Sequence, residues 1–199
     1  MSHDPYSTPA GKDEKRGGRR HVLIEYAVLG VIAIAVALLV QAFLVKPYRI
    51  PSESMQDTLL IGDRVLVDRI SWRFSEPERG DVVVFHQPET GLVLIKRVVG
   101  LPGDTLSLRD DRLLVNGSPL DEPYVMQDLS EPVPTEPFIN DFAWNLQEPY
   151  VVPEGTYFMM GDNRTNSGDS REFGPVARAS LVGPAFARYW PMARIGDVE

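Results

Sequence analysis

The chain has 199 residues, with 20 Lys+Arg against 28 Asp+Glu, three His, no Cys and 43% hydrophobic residues. That length suits one or two domains with a real core. Without Cys, disulfides, a thiol nucleophile and thiolate zinc sites are excluded. His3, His21 and His86 are too scattered for a multi-histidine metal site, and a net charge of −8 argues against a nucleic-acid partner.

That charge is an average over two unlike parts. Residues 1–21 hold five basic and three acidic side chains, for +2, which leaves fifteen basic and twenty-five acidic beyond them, for −10. Between these parts, Ala27 to Val45 is apolar except for Gln41. Nineteen helical residues span about 28 Å, close to the ~30 Å hydrocarbon thickness of a bilayer. A soluble helix would keep a polar stripe, and a cleaved leader would end in small residues rather than in Phe43-Leu44-Val45-Lys46. Residues 22–45 are therefore expected to be a permanent single-span membrane anchor. Lys15, Arg16, Arg19 and Arg20 outnumber Lys46 and Arg49 on the far side, which places the tail 1–21 in the cytoplasm and 46–199 outside. The tail itself is too polar to fold alone.

Beyond Pro47 the pattern turns to β. Short β-branched runs recur at Arg64–Val67, Val82–Phe85, Leu92–Val99, Thr105–Leu108, Leu113–Val115 and Tyr157–Met160, separated by Gly, Pro, Asp and Asn. Asn116-Gly117 is a two-residue hairpin signal. Residues 118–155 carry seven prolines and few strand-like runs, so about 107–155 is expected to form a small subdomain inserted into the main sheet. The expected fold is mainly β: one transmembrane helix, then an antiparallel β-sheet domain.

Three segments could carry chemistry. In Ile50-Pro51-Ser52-Glu53-Ser54-Met55, two serines two apart project the same way if the backbone is extended, although serines beside Pro and Glu also suit a solvated turn. In Leu92–Val99, strand alternation puts Lys96 on the face of Leu94 and Val98. Desolvation there would lower its pKa toward the range of a general base, whereas at a strand end it would simply snorkel. Gly161–Pro175 is dense in short polar residues that favour tight loops, and Arg164 at the third position rules out a calcium loop.

In this order, with Gly62-Asp63-Arg64-Val65-Leu66-Val67 and Lys96-Arg97-Val98-Val99-Gly100-Leu101-Pro102-Gly103-Asp104 between them, the segments resemble the sequence boxes of bacterial type I signal peptidases over roughly residues 25–191. The resemblance implies a serine–lysine dyad endopeptidase of the cell membrane that removes signal peptides from exported preproteins. Ser54 matches the nucleophile and Lys96 the general base. Ser52, with the backbone N–H of Ser54, matches the oxyanion hole. Ser167 matches a serine that hydrogen-bonds and orients the lysine, Asp169 and Arg171 a carboxylate and a guanidinium that support the site without reacting, and Gly161 and Asn166 close-packed loop positions. The family's preference for small side chains at the first and third residues before the cut implies shallow apolar pockets, for which Ile50, Met55 and Val84 are the candidates. Such an enzyme needs no metal or cofactor, works beside the lipid bilayer, and is expected to act as a monomer. Asp57 departs from the pattern, since proline is usual there, and is expected to change the stiffness of the turn. Ile70, Trp72 and Phe74 are candidates for touching the bilayer. The alternatives are a related Ser/Lys protease with another client or self-cleavage, a non-enzymatic membrane-anchored β-domain, and a Ser-His-Asp hydrolase using His86.

Overall fold

The computed structural model describes residues 14–110, 112–125, 146 and 148–198; the first thirteen residues and the middle of the proline-rich segment lie outside the described residues. The chain divides between Ala42 and Phe43 into two units.

The first unit is helix α1, Glu14–Phe43. Its stretch His21–Leu39 has a mean hydropathy of 2.6 and enough length to cross a membrane, with its apolar side chains exposed along the whole of it. The helix begins earlier than the expected anchor, because Lys and Arg are good helix formers and extend a nucleus already present. It also ends earlier, at Phe43 rather than Val45. Pro47 cannot enter a helix interior and biases the residue before it toward extended backbone, so Val45 opens a strand.

The second unit is β. Its strands are β1 (Val45–Arg49), β2 (Arg64–Asp68), β3 (Val82–His86), β4 (Val93–Gly100), β5 (Thr105–Arg109), β6 (Arg112–Val115), β7 (Ser118–Pro119), β8 (Tyr150–Val151), β9 (Thr156–Met160), β10 (Val176–Ala177), β11 (Leu181–Trp190) and β12 (Gly196–Asp197). The main sheet runs β1-β2-β11-β3-β4-β9-β10, with β12 added on β11, and a second sheet runs β7-β6-β5-β8. The pairings are antiparallel in both sheets. In chain order the second sheet falls between β4 and β9, and it starts at Thr105, two residues before the expected insertion.

Both faces of the main sheet are covered, which explains the unbroken run Val82-Val83-Val84-Phe85. Val82 and Val84 join Ile50, Leu59, Val65 and Val67 in one cluster, while Val83 and Phe85 join Val98, Met159 and Val176 in another. Trp72 packs against that second cluster, whereas Phe74 is 86% exposed. The hairpin signal is realised: Asn116 and Gly117 have φ of 53° and 81°, both left-handed as a type I′ turn needs, and join β6 to β7.

The longest strand, β11, lies outside the expected β-branched runs and contains Gly183 and Pro184. The register slips between Leu181 and Gly183, and this bulge admits both residues. The glycine is required by a close approach, since a Cβ at 183 would lie 1.6 Å from the Asp68 carbonyl oxygen of β2. Gly183→Ala is therefore expected to part β11 from β2 and to cost about 3 kcal/mol of stability, the upper range for overpacking. Denaturant unfolding of the full chain in detergent checks this.

Candidate active site

One strand and two loops build the site. The turn after Pro51 carries Ser52 and Ser54, β4 carries Lys96 and Arg97, and the loop between β9 and helix α2 (Ser170–Phe173) carries Gly161 to Asp169. Lys96 Nζ lies 2.5 Å from Ser54 Oγ, and Ser52 Oγ lies 3.4 Å from the same oxygen. Lys96 is only 3% exposed. Burial disfavours its ammonium and lowers its pKa from 10.5 to about 8, with Asp169 pulling the other way. An amine so placed can accept a hydroxyl proton near neutral pH.

Asp169 is fully buried and saturated with donors. Its Oδ2 accepts from Ser167 Oγ at 2.8 Å, Gly161 N at 3.0 Å and Arg171 Nη2 at 2.8 Å, and its Oδ1 accepts from Arg171 Nε at 2.8 Å. Burial alone would raise its pKa, but the Arg171 guanidinium and these hydrogen bonds hold it below the usual carboxylate range. The same side chain caps α2 by accepting from Arg171 N. The Ser167 hydroxyl thus donates to Asp169, whose charge in turn acts on Lys96.

The loop grips the serine turn by its backbone. Asn163 N donates to Ser54 O at 3.1 Å, and Asn163 Nδ2 donates to Glu53 O at 3.3 Å. Asn166 Nδ2 reaches Glu53 Oε2 at 3.3 Å, at the exposed rim. Gly161 sits against both partners: a Cβ there would come within 2.2 Å of Ser167 Oγ and 2.4 Å of Ser54 O.

A second buried ion pair was missed. Arg97 Nε and Nη2 bind Asp162 Oδ1 and Oδ2 at 2.9 and 2.8 Å, and Thr58 Oγ1 donates to Asp162 Oδ2 at 2.6 Å. Arg164, also buried, pairs with Glu122 and donates to Gly161 O at 3.0 Å. Tyr124 lies 3.8 Å from Arg97 over its ring face. A charged residue inside an apolar strand, as Arg97 is, signals a partner elsewhere. The partner is 65 residues away, and no local spacing gives it.

A cavity of about 190 Å³ opens beside Ser54 and Lys96 and is lined by Tyr48–Ser52, Val84 and Val93–Ile95. Ile50 and Val84 border it as expected. Met55 does not: it is fully buried in the core with Leu59 and Val65, because the turn that begins at Ser54 carries it inward. Two strand edges border the same cavity. β1 is terminal in its sheet, and Val93–Lys96 pair with β3 on one side while pairing to β9 starts only at Arg97. His86 stands exposed at the end of β3, its ring 3.4 Å from Gly91 O.

Residues 23–190 match the protein family described as signal peptidase, peptidase S26. The chain belongs to that family. A signal peptidase I of Leptolyngbya laminosa is 38% identical over 84% of this chain and 79% of its own length. A signal peptidase I of Bacillus licheniformis is 36% identical over 94% of this chain and 99% of its own. A crystal structure of a signal peptidase I from Enterococcus faecalis shares 40% identity, covering 55% of this chain and 97% of its own, with a TM-score of 0.46. The chain is a peptidase of this family, and its N-terminal unit is an apolar helix.

Against the family pattern, Asp57 changes geometry and not only stiffness. Its φ is +77°, which proline, fixed near −65°, cannot adopt. Asp57→Pro, although it restores the usual residue, is expected to cost about 1–3 kcal/mol through the refolded turn and to lower the melting temperature in a calorimetric scan.

Proposed function

We propose that the chain removes signal peptides from exported preproteins, with Ser54 as nucleophile and Lys96 as general base. The observation that carries this reading is the buried, desolvated amine 2.5 Å from a serine hydroxyl. Neutral Lys96 Nζ takes the Ser54 proton as Oγ bonds to the scissile carbonyl carbon. The Ser52 hydroxyl and the Ser54 N–H receive the developing oxyanion, each donor contributing about 3 kcal/mol. Collapse breaks the C–N bond, the protonated lysine returns its proton to the leaving amine, and water activated by the same amine releases the acyl group. Asp169 and Arg171 hold the loop and balance its charge. Gly161 and Asn166 keep it closed against the serine turn.

The substrate is an extended peptide laid between the two strand edges, pairing with backbone as a strand does. Small side chains at the first and third residues before the cut fit the apolar wall of Ile50 and Val84. α1 anchors the enzyme in the cell membrane with its basic end inside, and residues 46–199 outside. Ser54 follows Val45 by nine residues, so catalysis and tethered substrate share one surface and a raised effective concentration.

Purified full-length protein in detergent, given a preprotein, tests the dyad. Ser54→Ala and Lys96→Ala are each expected to abolish release of the mature chain, and wild-type rates in either overturn the reading. Since only neutral Lys96 accepts the proton, kcat/KM should rise with pH through about 8. The linkage has a second consequence. A folded-state pKa below the ordinary 10.5 means that the stability present at high pH is lost as pH falls through 8. At pH 7 the buried lysine therefore costs about 3 kcal/mol. Lys96→Met should be inactive yet more stable at pH 7, with the advantage shrinking toward pH 10 in thermal scans.

A further inference from the structure

We propose that Arg49 is a specificity determinant that recognises a carboxylate side chain on the substrate, at the second or fourth residue before the cut. The inference rests on the peptide lying along β1 as proposed above.

Arg49 borders the cavity that Ser54 and Lys96 close, at its β1 end, and it is exposed. Among the residues lining that cavity, Arg49 and Lys96 are the charged ones, and none is acidic. Lys96 is given over to Ser54, so Arg49 supplies the cavity's available positive charge. Its place on the strand sharpens this. Tyr48 packs toward the core cluster and Ile50 lies within it. Side chains alternate along a strand, so Arg49 faces the other side. The residue directly opposite on β2 is Arg64, also exposed, whose guanidinium lies 5.9 Å from the Trp190 ring. Like charges directly opposite destabilise a strand pair. Two unneutralised arginines on one face of a domain whose net charge is strongly negative therefore form a local anion-attracting point beside the peptide path.

A peptide strand added along β1 alternates in the same way. The first and third residues before the cut point to the Ile50 and Val84 wall, so the second and fourth point outward, to the face of Arg49. A Glu or Asp there meets the guanidinium at an exposed position. Exposed ion pairs of this kind contribute little but measurably, which corresponds to about a three- to fivefold change in kcat/KM and weakens with salt.

The test uses the full chain in detergent and a neutral peptide spanning a cleavage site, with Glu, Gln or Lys placed singly at each of the six residues before the cut. In wild type at low salt, Glu is expected to exceed Gln by about three- to fivefold in kcat/KM at the second or fourth position and to lose that advantage at high salt. In Arg49→Gln the Glu/Gln ratio should fall to about one, and in Arg49→Glu the Lys peptide should become the better substrate. The ratio is read within each variant, so a general loss of activity or folding does not move it. Cleavage of the neutral parent with the Glu/Gln ratio the same in all three proteins overturns the role of Arg49 alone. Failure of wild type to cleave the parent at all, at a site that Ser54→Ala also leaves intact, overturns the peptidase reading and this inference with it.

Discussion

A lysine amine removed from water beside a serine hydroxyl sets the terms for everything around it. Desolvation disfavours the Lys96 ammonium, whereas a carboxylate nearby favours it. Three carboxylates act on it in that sense, Asp169, Asp162 and Glu172, and the first two are each paired with a buried arginine, Arg171 and Arg97. Breaking such a buried pair is costly because it leaves an uncompensated charge, here next to the reacting atoms. The ion pairs keep the loop rigid without charging the base.

The same demand extends into the second sheet. Arg164 supports the Gly161 carbonyl and needs its own counter-charge, which comes from Glu122, just past β7. Gly100, at the end of β4, lets the strand that carries Lys96 pass straight into the second core: a Cβ there would meet Leu106, Val152 and Phe158 at about 3 Å. The inserted sheet is thereby packed against the strand that carries Lys96, and the segment after it is ion-paired to the loop that holds Gly161.

How much of this could be read from the residues follows from the range of each interaction. Val82–Phe85, the Asn116-Gly117 turn and the apolar helix announce themselves locally, and four ordered motifs fixed Ser54 and Lys96 as the pair to examine. Thr58 and Asp162 meet across 104 residues, and Arg164 and Glu122 across 42, so nothing near either partner gives the other away. β11 was not among the expected strands, and the presence of Gly183 in it makes sense only beside the Asp68 carbonyl. Met55, a pocket candidate by its apolar character, is instead taken up by the core, which the local sequence does not distinguish from a pocket wall.

Strand β1 carries one more implication. A terminal strand with a free backbone edge invites any extended chain, including another copy of itself. Of its five residues, Lys46 and Arg49 are cationic and Pro47 has no N–H to offer. Two such edges brought together would set cation against cation across a broken ladder. The strand proposed to receive a substrate peptide is thus poorly composed to pair with its own twin.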